Sequence, residues 1–253
     1  MGEKKKSKNK GVYTALMLVC VVIFLFALYN VVTILMDYKE VEDYYNITIE
    51  EYVETDDNGV INHIDLAKLV AKNQDVKGWI YLDGTEISYP LLQGPDNEFY
   101  LSRTYEKEWL FAGSIYIDAI NKSDLTDAHT IIYGHNMHNG SMFGQLDKYS
   151  KESYRNEHPY IYIMRLDGKW DKYEIFSAYI ADIDDGTFSY FTTTGDSYDR
   201  YLELTKTKNY YSNTTYPQNG ERILTLSTCT EDSDDFKRFV VHSKFVGTVD
   251  SIK

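Results

Sequence analysis

The sequence predicts a mainly β domain with added helices, built as an eight-stranded barrel and preceded by a single membrane-spanning helix. Three observations lead to this prediction. From Gly78 onward, short β-rich runs alternate with turns and leave little room for long helices. The chain contains 24 tyrosines, a residue type that favours strands and partly solvated surfaces. Near the N-terminus, a long apolar stretch carries no charged side chain.

The apolar stretch covers residues 12–36, and about 20 residues suffice for a helix to cross a bilayer. Five lysines among the first ten residues should keep the tail 1–11 in the cytoplasm, which places the rest of the chain outside the cell. A cleavable signal peptide is the alternative, but the stretch is long for one and lacks an Ala-x-Ala-like cleavage site. Cys20 lies within the stretch and is most simply a membrane-buried thiol.

Residues 37–64 are acidic and rich in tyrosine, and we interpret them as a stalk or a helical continuation of the anchor. The folded domain is expected at 65–253, opening with a helix that Asp65 caps. A second helix is predicted from Asp196 to Tyr211, within a long connection, 184–221, of a kind that is often functional. The eight predicted strands are Trp79–Leu82, Ile87–Leu92, Gly113–Ile117, Thr130–Tyr133, Tyr160–Met164, Tyr173–Ile183, Ile223–Ser227 and Phe239–Val246.

The charge of the predicted domain excludes one class of function. Five of the 26 basic and one of the 39 acidic residues precede residue 11, so the remainder carries a net charge of −17. Such a domain repels phosphates, and we expect no nucleic-acid partner.

Cys229 is the only cysteine outside the apolar stretch, and it ends a strand-like run. On the outer side of a membrane it has no partner for an intramolecular disulfide, which makes it a candidate nucleophile. The alternative is a small, buried and inert side chain.

A cysteine nucleophile needs a proton carrier, and His135 is the strongest candidate because it follows a predicted strand and a glycine. Together with His138 it could instead bind a metal, but two ligands at this spacing are too few for a zinc site. The acidic run 231–235 could bind calcium, although its spacing does not fit an EF-hand and a solvated loop explains it better. We expect neither a metal nor a cofactor.

The third candidate is Arg238, which opens the predicted strand nine residues after Cys229. A guanidinium near a nucleophile can stabilise the oxyanion of a tetrahedral intermediate. Alternatively, Arg238 pairs only with Asp234 or Asp235.

Three motifs in this order resemble the class B sortases. They are Tyr-Gly-His-Asn-Met at 133–137, Thr-Leu-Ser-Thr-Cys at 225–229 and Arg-Phe-Val-Val-His at 238–242. Stretches 75–80, 84–90, 113–118 and 140–143 are similar to that class as well, and the resemblance spans roughly residues 65–247.

The resemblance implies a sortase-type barrel and a cysteine transpeptidase of the Gram-positive cell surface. Cys229 would cleave an Asn-Pro-x-Thr-type sorting signal of a secreted protein after its Thr, through a thioacyl intermediate, and pass the protein to an amine of a peptidoglycan precursor. His135 would act as general acid and then base, and Arg238 would stabilise the oxyanion.

The resemblance also implies substrate contacts by Asn97, Leu101, Ser227 and Thr228, with residues 187–194 forming one wall of the groove. Some class B enzymes have a glutamate directly after the cysteine, where this chain has Thr230, so a substrate role for an acid there is in doubt.

Two other functions are each compatible with part of the sequence. A membrane-tethered binding or adhesion domain would suit the acidic, tyrosine-rich surface but requires an inert cysteine. A papain-like thiol protease requires the cysteine to precede its histidine on a helix, whereas here the histidine comes first.

Overall fold

The computed structural model describes residues 8–57, 59–218, 220–230 and 236–252, without the side chains of 8–10. The chain divides into two compact units, with the boundary between residues 44 and 45. The described part of the first unit is helix α1 (Lys8–Tyr52) as far as residue 44, and the apolar side chains between residues 12 and 36 are exposed. Residues 11–52 form a helix long and apolar enough to cross a membrane.

The predicted stalk, 37–64, is helical as far as Tyr52 and continues into a hairpin that the sequence did not predict. Its strands are β1 (Val53–Thr55) and β2 (Ile61–Ile64), which pair antiparallel. In the second unit Tyr52 is buried, and its ring meets that of Tyr105 edge to face at 6.1 Å. The boundary that we placed at residue 65 stays a prediction.

All eight predicted strands form, and they close into a barrel, as predicted. The order around the barrel is β10-β8-β7-β3-β4-β5-β6-β9, and β9 returns to β10. Neighbours are antiparallel except for the pairs β4–β5 and β6–β9. The strands are β3 (Val76–Leu82), β4 (Ser88–Leu92), β5 (Ile115–Ile117), β6 (His129–Tyr133), β7 (Tyr160–Met164), β8 (Trp170–Asp182), β9 (Ile223–Cys229) and β10 (Lys237–Val249).

Short helices complete the second unit. They are α2 (Leu66–Lys72), α3 (Glu152–Glu157), α4 (Asp196–Lys208) and the 3-10 turns Phe99–Ser102 and Leu146–Ser150. The predicted helix in the long connection is α4, which ends three residues earlier than expected. It buries one face through Tyr198, Tyr201, Leu202 and Thr205, which fall at helical spacing.

Asp65 caps α2 as predicted. Its carboxylate accepts a hydrogen bond from the backbone N–H of Lys68 at 2.9 Å, which satisfies one of the donors that a helix start leaves unpaired.

Replacing Asp65 by Ala removes this cap and should lower the free energy of unfolding by about 1 kcal/mol. Urea unfolding of the full chain in detergent, followed by tryptophan fluorescence, measures the change. The neighbouring exposed Asn62→Ala is the matched control, and equal midpoints for the two variants would refute the role of the cap.

Candidate active site

Strand pairing brings the three predicted catalytic residues to one end of the barrel. β6 and β9 run parallel with Tyr133 opposite Ser227, so His135 and Cys229 each follow that pair by two residues. β10 runs antiparallel to β9, and Arg238 is the direct partner of Cys229. Directly opposed residues in an antiparallel pair have Cα atoms about 4.5–5.5 Å apart. Cys229 and Arg238 are nine residues apart in sequence, and this register places the thiol and the guanidinium on adjacent backbone positions.

The thiol of Cys229 is accessible. Cys229 is exposed and forms no disulfide, while Arg238 and His135 are half-buried. The interpretation of Cys229 as a buried, inert side chain is therefore wrong. Arg238 donates to the carbonyl of Lys237 at 2.8 Å. Its suggested partners Asp234 and Asp235 belong to the acidic run 231–235, which lies outside the described residues.

The imidazole of His135 is held by a backbone carbonyl. The ring Nε2 lies 2.7 Å from the oxygen of Leu101, and because a carbonyl only accepts, Nε2 carries a proton. The other nitrogen, Nδ1, is thereby left to exchange a proton with a reacting group. The carbonyl of Leu101 is itself closely packed, since a Cβ on Gly113 would lie 2.3 Å from it.

Gly134 allows the chain to turn out of β6 just before His135. A Cβ at this position would lie 2.4 Å from Cδ1 of Ile115 and 2.8 Å from the ring of Phe143. Any larger residue would push the end of β6, and His135 with it, away from the barrel.

Asn136 links the histidine segment to the cysteine, and the sequence interpretation missed it. Its side-chain amide donates to the carbonyl of Cys229 at 3.0 Å. The backbone on the other side is also held, because the N–H of Phe143 donates to the carbonyl of His135 at 2.9 Å. The only available clue was that Asn136 directly follows His135 in the quoted motif.

Asn97 and Leu101, predicted to contact substrate, are both exposed at this end of the barrel. The carbonyl of Asn97 accepts from the hydroxyl of Tyr116 at 2.9 Å. Burial raises the pKa of Tyr116 to about 12, the neighbouring Asp118 and Cys229 add to the rise, and Arg238 opposes it. Tyr116 thus lies within electrostatic reach of the thiol and the guanidinium, and ties Asn97 to them.

Ser227 and Thr228 occupy opposite faces of β9. Because side chains alternate along a strand, Ser227 shares the face of Cys229 and Thr228 points to the other side. Both are buried, and within the described part of the chain neither hydroxyl has a hydrogen-bond partner. Their roles as substrate contacts stay predictions.

The metal interpretations find no further support among the described residues. His138 is exposed, and in residues 8–57, 59–218, 220–230 and 236–252 no group of three or more His, Cys, Asp or Glu side chains could hold a metal ion. The acidic run that could bind calcium lies outside those residues.

Comparison with known proteins agrees with this geometry. The family model of the sortase domain matches residues 80–246. The chain is 35% identical to sortase B of Listeria monocytogenes over 242 residues, which cover 92% of this chain and 96% of that protein.

Solved structures show the same likeness. Sortase B of Clostridium perfringens superposes with a TM-score of 0.66 at 34% identity, covering 72% of this chain and 100% of that one. A sortase B–substrate complex of Staphylococcus aureus gives a TM-score of 0.66 at 30% identity, with coverage of 82% and 94%.

The chain belongs to the sortase family, in its class B. It is a cysteine transpeptidase of the sortase type, and both the adhesion-domain and the papain-like alternatives are wrong.

Changing Asn136 to Ala should lower the transpeptidase kcat/KM about tenfold, because the carbonyl of Cys229 loses one hydrogen bond that fixes the cysteine beside the histidine segment. Asn136→Asp, which keeps the shape and loses the N–H donor, should behave like the alanine variant. His138→Ala is the control, since this exposed side chain lies two residues further on. Full activity of Asn136→Asp would show that the donor is dispensable.

Proposed function

We propose that this chain cleaves an Asn-Pro-x-Thr-type sorting signal after its Thr and transfers the secreted protein to a peptidoglycan amine. The observation that carries the proposal is the exposed thiol of Cys229, paired in register with Arg238 at the barrel end that also bears His135. One of the superposed structures is a Staphylococcus aureus sortase B–substrate complex, which supports a peptide-processing role for this fold.

In the first half-reaction, His135 takes the proton of the Cys229 thiol, and the sulfur attacks the carbonyl carbon of the signal's Thr. The carbonyl oxygen becomes an oxyanion, and the guanidinium of Arg238 stabilises it. When the intermediate collapses, the peptide bond after Thr breaks and His135 gives its proton to the departing amine. The product is a thioester between Thr and Cys229.

In the second half-reaction, an amine of a peptidoglycan precursor attacks the thioester carbon. His135 now accepts the proton of the attacking nitrogen, and Arg238 again stabilises the oxyanion. Collapse forms the new amide bond and breaks the bond to sulfur, and His135 gives the proton to the departing Cys229 thiolate. No cofactor enters either step.

The signal peptide is proposed to lie along the face of β9 that carries Cys229. Ser227 lies on that face next to the cysteine, and its buried hydroxyl has no partner within the described residues. Asn97 and Leu101 border the opposite side, where the Leu101 carbonyl also orients His135. Residues 187–194 would form the remaining wall.

The helix α1 is proposed to anchor the enzyme with its lysine-rich end in the cytoplasm and the barrel outside the cell. The substrates would then be secreted surface proteins that reach the same side of the membrane.

Cys229→Ala should abolish cleavage of an Asn-Pro-x-Thr peptide because no thioester can form. His135→Ala and Arg238→Ala should each lower kcat by about 10²–10⁴, the range of one proton carrier or one oxyanion donor. Peptide cleavage by the full chain in detergent, with mass spectrometry of the acyl-enzyme, measures both effects.

Cys20→Ala is the control for the thiol, since this cysteine lies within the apolar helix. An acyl adduct on any residue other than Cys229, or substantial turnover by Cys229→Ala, would overturn the mechanism.

A membrane-impermeant thiol reagent should label Cys229 on intact cells, because the thiol is exposed and the barrel is proposed to be extracellular. Labelling is read by mass spectrometry of the purified chain, and Cys229→Ala supplies the background. If labelling required lysis of the cells, the proposed orientation would be reversed.

A further inference from the structure

Two buried histidines take no part in the proposed reaction. His129 opens β6 and His242 lies in β10, and both are completely buried. Between them stands Thr225 of β9, also completely buried, which is the first residue of the Thr-Leu-Ser-Thr-Cys motif. The three residues therefore lie one on each of the strands that carry the catalytic groups.

Hydrogen bonds connect these side chains in one direction. His129 Nδ1 lies 2.7 Å from the carbonyl oxygen of Ser189, which only accepts, so Nδ1 donates. In a neutral ring Nε2 then accepts, and it lies 2.7 Å from the hydroxyl of Thr225. With its proton used there, Thr225 accepts from His242 Nδ1, again at 2.7 Å.

Both rings are kept neutral by their surroundings. Burial lowers the pKa of His129 to about 4, although the bond to Ser189 and the charge of Asp118 oppose the effect. Burial also lowers the pKa of His242 well below its usual value, with His129 adding to the effect and Asp185 opposing it. Near neutral pH the donor and acceptor of each hydrogen bond through His129, Thr225 and His242 are therefore defined.

The far end of the hydrogen-bonded chain holds the segment 187–191, at the start of the long connection. Besides the Ser189 carbonyl, the carbonyl of Thr187 accepts from Tyr201 of α4 at 2.9 Å. The backbone of His129 donates to the carbonyl of Phe191 at 3.0 Å, and the rings of these two residues stack. The segment is thus fastened to β6 and to α4 by groups that are themselves buried.

This segment and the catalytic groups share one face of the barrel. Along β9, Thr225, Ser227 and Cys229 point to the same side, and His242, Val240 and Arg238 accompany them on β10. The opposed residues Thr225 and His242 are buried beneath the connection. At the strand end Cys229 is exposed and its partner Arg238 is half-buried. The edge of the connection therefore lies where the face of Cys229 opens to a substrate.

We propose that His129, Thr225 and His242 are positioning residues that hold segment 187–191 in place as a wall of the peptide-binding groove. The proposal rests on the proposed function, because the groove is taken to bind an extended sorting peptide. None of the three touches the reacting atoms, so their effect is on peptide binding.

Thr225→Val tests the centre of the chain, since it keeps the shape and removes the hydroxyl. In the full chain in detergent, KM for an Asn-Pro-x-Thr peptide should rise about tenfold, the value of one buried hydrogen bond, while kcat changes little. Amide hydrogen exchange of 187–191 should become faster. The rate at which iodoacetamide alkylates Cys229 should stay unchanged.

Thr225→Ser keeps the hydroxyl and should restore both KM and exchange. Tyr201→Phe removes the bond to the Thr187 carbonyl, together with the 3.3 Å contact between the Tyr201 hydroxyl and His129 Nε2. It should also speed exchange of the segment, which provides a second test if Thr225→Val folds poorly. His63→Ala, an exposed histidine on β2, is the control for removing an imidazole and should change nothing.

The proposal is overturned if Thr225→Val leaves KM and the exchange of 187–191 unchanged, or if Thr225→Ser behaves like Thr225→Val. A lower melting temperature with unchanged KM would show a purely structural role and would overturn it as well. If the unaltered protein cleaves no sorting peptide, the proposed function fails. The exchange rates of 187–191 still decide whether the hydrogen bonds through Thr225 anchor the segment.

Discussion

The pairing of β9 with one parallel and one antiparallel neighbour is the constraint on which the rest of the site depends. A parallel partner ends at the same edge, so the C-terminal ends of β6 and β9 present His135 and Cys229 together. An antiparallel partner begins at that edge, so β10 enters with Arg238 opposite the cysteine. Three residues from three separate stretches meet because one central strand has neighbours of both directions.

Alternation along the same strands separates reactive from structural groups. Odd-numbered residues of β9 share the face of Cys229, and this face is exposed only at the strand end. Towards the start of β9, the polar side chains on this face are buried. They form hydrogen bonds with one another and with the long connection instead of with water. A low-dielectric interior makes such bonds strong and an unpaired polar group costly, which favours a single arrangement of the connection over that face.

Among the described residues, hydrogen bonds to backbone carbonyls orient the groups at the open end. The Leu101 carbonyl defines which nitrogen of His135 bears a proton, and the Asn136 amide holds the carbonyl of Cys229. Both carbonyls have little freedom to move. That of Leu101 is packed against Gly113, and that of Cys229 belongs to β9, which pairs with a strand on each side. Geometry at this site therefore follows from the barrel rather than from mobile side chains.

The sequence by itself determined the apolar helix and the eight strands and indicated Cys229, His135 and Arg238 as catalytic candidates, because hydrophobic periodicity, turn residues and short motifs are local properties. Only the tertiary structure decided the strand order, the hairpin after α1 and the contacts that complete the site. Asn136 and Cys229 are 93 residues apart, and His129 and Thr225 are 96 apart. No local pattern reports contacts at such separations, since they arise only when the barrel closes and fixes the register of its strands.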